Sequence, residues 1–197
     1  MRTAIAIRLL ALTLAAPLFT AAGGPGEPAP TGVRVGSQIR VFGADREHLE
    51  LARWAGGRFE RAGMQPPAVD VHFHPDTAGC YGHIASTLDG RVDICVVIVS
   101  EIARDALLHE MGHVWIDEHV PDSLRQRFME MRGLTAWSDP DVPWDDRAFE
   151  HGAEIIAWGL GHRYMAPSIP DREPVRLAPA FELLAGVAPP NPGPLTS

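Results

Sequence analysis

The densest chemistry in the chain lies in five residues, His109-Glu110-Met111-Gly112-His113. Two imidazoles four positions apart fall on one side of a helix, about 40° around and roughly 6 Å along its axis. Both can bind one metal ion, and zinc suits such a pair. The carboxylate of Glu110 then stands beside the ion, where it can take a proton from a metal-bound water. The arrangement needs a helix beneath it, a third protein ligand and a cleft open to water.

Two residues compete for the third ligand position. His119 stands ten residues after His109, the spacing of the third histidine in HExxHxxGxxH. That pattern uses its glycine to turn the chain back, and Ile116 occupies the position here. A β-branched residue strongly disfavours the positive φ such a turn needs. If the helix runs on instead, His119 ends up about 15 Å along the axis from His109, out of reach of the same ion. The better candidate is Glu150, in Glu150-His151-Gly152-Ala153-Glu154. Its carboxylate and that of Glu154 share one helix face, so one can bind the metal while the other orients a ligand imidazole. By itself, such a pair is more often a solvated acidic face.

HEMGH followed after 36 residues by EHGAE resembles a gluzincin metallopeptidase, of the branch whose second motif reads ExxA[DE]. The resemblance runs from about Gln38 to Met165 and is to the small secreted members. It implies His109, His113 and Glu150 as zinc ligands, Glu110 as general base and Glu154 as support for a ligand histidine. It also implies an α+β, zincin-like fold: a small mixed sheet with a backing helix, an active-site helix above the cleft and a small helical subdomain below. The chain departs from the commoner pattern in carrying Glu, not Asp, at 154, which lengthens the reach to the ligand. No substrate class carries over. An oxyanion donor is also needed, commonly His, Tyr or Arg. Arg147 and His151 are the leading candidates, with Tyr164 and Tyr81 behind them, and no spacing decides among the four.

These residues need elements to position them. Gln38–Phe42 alternates between glycines and reads as a strand. Asp45 caps a helix over Glu47–Ala62, and Ala68–His74 is a half-buried strand with Asp70, His72 and His74 on its polar face. Asp89-Gly90 joins Tyr81–Leu88 to Arg91–Val99 as a hairpin, the second arm apolar enough to be central. A strict two-residue turn sets Cys95 opposite Ile84, so a Cys80–Cys95 disulfide requires a bulge or longer loop near Gly79 or Gly82. From Ala103 an amphipathic helix carries the motif, with Ala103, Leu107, Leu108, Met111, Val114 and Trp115 on its apolar face. Within it, Gly112 implies close packing against a neighbour, since a glycine there costs about 1 kcal/mol of helix propensity. A short helix ending at Gly133 follows, then an irregular loop whose Trp137 and Trp144 could wall the cleft. A third helix runs from Asp145-Asp146 to about Gly161. His72 and His74 could form a second metal site, although an exposed edge or cleft-lining strand explains them as well. His48, His83 and His162 read as surface residues.

Residues 1–22 carry Arg2 and Arg8, a short apolar run and small residues at Thr20-Ala21-Ala22, which reads as a cleaved signal peptide. Residues 23–36 form a Gly/Pro-rich flexible lead-in, and 37–165 a single domain with an upper half at 37–120 and a lower half at 121–165. Residues 166–197 form a Pro-rich C-terminal segment with room for one short helix near Phe181–Leu184. Loss of the two arginines takes the formal charge from -8 to -10, which disfavours nucleic acid and anionic lipid as partners. The expected protein is a secreted or extracytoplasmic monomer with Zn2+ as cofactor and a peptide or protein substrate. It makes no stable membrane association after signal cleavage, and Cys80 and Cys95 are paired. The rival expectations are a zinc-binding protein without catalysis and a zinc hydrolase acting on a non-peptide amide.

Overall fold

The computed structural model describes residues 31–96, 98–161 and 167–190. The expected signal peptide lies outside them. The fold is mixed α+β: five strands in one mixed sheet and five helices.

The chain enters through β1 (Val33–Val35), which pairs antiparallel with β2 (Ile39–Phe42). β1 falls inside the stretch expected to be a flexible lead-in; three alternating residues are too short a pattern to separate from the glycines and prolines around them. Helix α1 (Arg46–Arg61) follows, with the Asp45 carboxylate accepting from the His48 backbone N–H at 2.9 Å. Its buried face, including Leu51, Ala55 and Phe59, covers the sheet. The chain returns as β3 (Val69–Phe73), parallel to β2. On β3, Val69, Val71 and Phe73 are buried while Asp70 and His72 face the other way, as alternation demands.

A 3-10 turn over Thr77–Cys80 leads into the hairpin of β4 (Ala85–Leu88) and β5 (Arg91–Ile94). Asp89 and Gly90 both take positive φ, 50° and 74°, which a two-residue turn of this hand requires. Strand order is β1-β2-β3-β5-β4, so β5 is interior and β4 is an edge. Both arms are shorter than expected. The Cys95 N–H still donates to the Ile84 carbonyl at 2.8 Å, the register the two-residue turn sets. Cys95 nevertheless bridges Cys80, because the 3-10 turn and left-handed Tyr81 and Gly82 fold the chain back toward it.

Helix α2 (Glu101–His119), capped by the Ser100 hydroxyl, runs straight through Ile116. It is buried on nearly every side, because it packs against the sheet and α1 on one flank and α4 on the other. α3 (Asp122–Arg132) ends at left-handed Gly133. A 3-10 turn, Trp144–Asp146, precedes α4 (Ala148–Leu160), whose last carbonyls, Leu160 and Gly161, are capped by the Arg58 guanidinium. α5 (Pro174–Ala185) is longer than the short helix expected and runs through Pro179. It buries Leu177, Ala180, Phe181 and Leu184 in the same core, against α3 and α4.

Candidate metal centre

α2 and α4 cross so that three donor atoms meet. His113 Nε2 lies 3.0 Å from His109 Nε2 and 3.1 Å from Glu150 Oε2, and His109 Nε2 lies 3.3 Å from that same oxygen. The spacing follows from sequence: His109 and His113 are one turn apart on α2, and Glu150 sits in the first turn of α4, facing them. Three atoms that bind through lone pairs thus converge on one point, which is unfavourable unless a proton or a cation is shared among them. This group could hold a metal ion, and no other group of three such residues does so among the described residues.

The electrostatics point the same way. Burial opposes charge on His109, but the Glu150 and Glu154 carboxylates outweigh it and push the imidazole up to about 10. Burial likewise works against the Glu150 carboxylate, yet His109 and His113 hold it well below the ordinary range. The pocket therefore favours a positive charge at its centre. Glu154 Oε1 stands 3.4 Å from His109 Nδ1, within ion-pair reach but without the alignment of a formed hydrogen bond. Its other oxygen accepts from the Ser168 backbone N–H at 3.1 Å. Phe149 packs on the His113 ring at 4.1 Å between centroids.

The group opens into a cleft of about 770 Å³. One wall is the run Gly82–Thr87 at the sheet edge, the other is built from Trp144, Phe149, Glu150 and Glu154, and Glu110 lines the floor with the two histidines. Glu110 is only 8% exposed. The Trp144 indole lies near-parallel to the His109 ring with centroids 6.1 Å apart, whereas Trp137 packs among Phe128, Phe149 and Arg125 away from the cleft.

Arg147 and His151, expected as oxyanion donors, do not reach the cleft. Arg147 precedes α4 and donates backward to the Val142 and Pro140 carbonyls at 2.7 and 3.0 Å. His151 follows Glu150 by one residue, so about 100° of helix rotation turns it away from the centre. There it is buried, Nε2–H donating to the Asp145 carbonyl at 2.7 Å and Nδ1 accepting from Arg132. Burial, then the Arg132 charge, holds its pKa down, and it serves as a neutral tie between helix and loop. Tyr81 is 78% exposed and lines no part of the cleft, and Tyr164 and His162 lie outside the described residues.

His119 stacks on Trp115 and bonds its carbonyl at 3.0 Å, away from the group. His72 stacks on Phe42, and His74 pairs with Asp93 at 2.6 Å beside Arg91, so the outer sheet face forms no second metal group. His48 packs on Phe73 rather than standing free at the surface, while exposed His83 lines the cleft. Thr87 was not anticipated, since a lone threonine in a short strand carries no motif; its hydroxyl bonds Glu110 Oε2 at 2.6 Å.

No family model, curated protein or solved structure matches the chain. No helix among the described residues is long and apolar enough to cross a membrane.

Proposed function

We propose that the chain is an exported zinc-dependent peptidase of the gluzincin type. The observation that carries the reading is the convergence of His109 Nε2, His113 Nε2 and Glu150 Oε2 beside Glu110 in an open cleft. A tetrahedral ion with bonds of about 2.0–2.1 Å sets its ligand atoms roughly 3.3 Å apart. The three separations here, 3.0, 3.1 and 3.3 Å, fall close to that edge. Two nitrogens and one oxygen are a donor set that zinc accepts, and three ligands leave a fourth position open, as catalysis requires.

Bound there, zinc would acidify a water and polarise the scissile carbonyl. Glu110 would take the attacking water's proton and pass it to the departing amine. Glu154 would hold the His109 ring from behind, fixing which nitrogen faces the metal. β4 has one edge that pairs with no strand among the described residues, and that edge borders the cleft. An extended peptide could add to it by main-chain hydrogen bonds, which would lay a peptide bond across the metal. The Cys80–Cys95 disulfide supports an oxidising compartment.

The test is hydrolysis of an internally quenched peptide library by the zinc-loaded protein and by Glu110→Gln. The reading requires cleavage by the wild type and its loss, by at least about 100-fold, in a variant that keeps its zinc. Undiminished cleavage by the zinc-loaded variant would remove Glu110 as the base.

A further inference from the structure

Glu110, on the floor of the cleft, meets a side chain from the wall that β4 builds. Thr87 lies in β4, and its hydroxyl is 2.6 Å from Glu110 Oε2 and 3.3 Å from the Glu110 carbonyl oxygen. The shorter contact has the length of a hydroxyl donating to a charged oxygen, a bond roughly twice as strong as a neutral one. Glu110 forms no other side-chain hydrogen bond among the described residues, so Oε1 keeps its lone pairs free. A long side chain held at one point can pivot; held at one oxygen by a donor from another element, it presents the other in a fixed direction. Thr87 is suited to this, because its β-branched χ1 is stiff in a strand.

We propose that Thr87 is a positioning residue for the reaction: its hydroxyl holds Glu110 Oε2 and so presents Oε1 to the attacking water. This rests on the peptidase reading above. The donor is in the edge strand that would also pair with the substrate backbone. One strand therefore sets both where the peptide bond lies and where the base points, and the distance between the two does not depend on the position of α2 alone.

The test uses the full zinc-loaded chain as wild type, Thr87→Val, Thr87→Ser and Glu110→Gln. Valine keeps the branched shape and strand preference of threonine and puts a methyl in place of the hydroxyl. On the best peptide from the library, Thr87→Val should lower kcat about 10-fold, the worth of one hydrogen bond to a charged group, with KM within about twofold. Thr87→Ser should restore most of it. A second readout does not need turnover: acetohydroxamic acid, a zinc chelator with a hydroxyl to give to a neighbouring carboxylate, should bind more weakly to Glu110→Gln and to Thr87→Val than to wild type or Thr87→Ser. Unchanged kcat in Thr87→Val, or kcat lost equally in Thr87→Ser, overturns the proposal. If no peptide is cleaved the peptidase reading fails, and calorimetry with acetohydroxamic acid decides for Thr87 alone. Wild-type binding by Thr87→Val would then refute it.

Discussion

Gly112 in α2 meets the backbone of Ala153 in α4 so closely that a Cβ on Gly112 would lie 3.2 Å from the Ala153 carbonyl oxygen and 3.3 Å from its Cα. The fit is reciprocal, since a Cβ on Gly152 would lie 2.8 Å from Ile116 Cδ1. Both glycines sit within the two motifs, between or beside the residues that converge. Their missing side chains let the helices approach until imidazole and carboxylate share one point.

Gly112→Ala should therefore separate stability from metal binding. The added methyl improves helix propensity by about 1 kcal/mol but pushes α4 away by a few tenths of an ångström. We expect a melting temperature close to wild type without metal, and zinc affinity lowered by about 10-fold, because ligation is intolerant of displaced ligands. Chelator competition measures the second quantity; unchanged affinity would mean that the close approach does not set the site.

Among the converging residues, Glu150→Ala should abolish tight zinc binding, and Glu154→Ala should weaken it about 10- to 100-fold through the loosened His109 ring. His119→Ala should leave it intact. Zinc retained without Glu150 but lost without His119 would reverse the ligand assignment.

Zinc binding should release protons. With no metal bound, His109 is pushed up to about 10 and carries a proton at pH 7, which zinc must displace. Lower pH favours the protonated site, so zinc affinity should fall as pH is lowered from 8 to 6. Calorimetry in buffers of different ionisation enthalpy reports the released protons directly, and a heat independent of buffer would contradict the expectation.

The Cys80–Cys95 disulfide closes a loop 15 residues apart and anchors the wall that carries Gly82 and His83. In the chain-entropy account, replacing both cysteines by serine should cost about 3 kcal/mol. Chemical denaturation measures this, and a loss below about 1 kcal/mol would show that the hairpin holds its own geometry.

Sequence made the two site helices legible because periodicity and spacing act within one helix. Ile116 was enough to argue that α2 runs on and carries His119 away from His109 and His113. Arg147 and His151 misled because both stand close to Glu150 in sequence: the helical rotation between adjacent positions turns His151 away, and Arg147, extended backbone ahead of α4, donates back to the Val142 and Pro140 carbonyls. Thr87 was invisible for the opposite reason, meeting Glu110 from 23 residues away across a strand–helix contact that no local pattern encodes. β1 and the full length of α5 owe their existence to tertiary packing, which overrides the weak local signals of Val33–Val35 and Pro179.

The most direct measurement is the metal content of the wild-type protein, purified without chelator and analysed for all transition metals. One zinc per chain is expected. A protein that takes up no zinc, even when supplied with it at neutral pH, would contradict it.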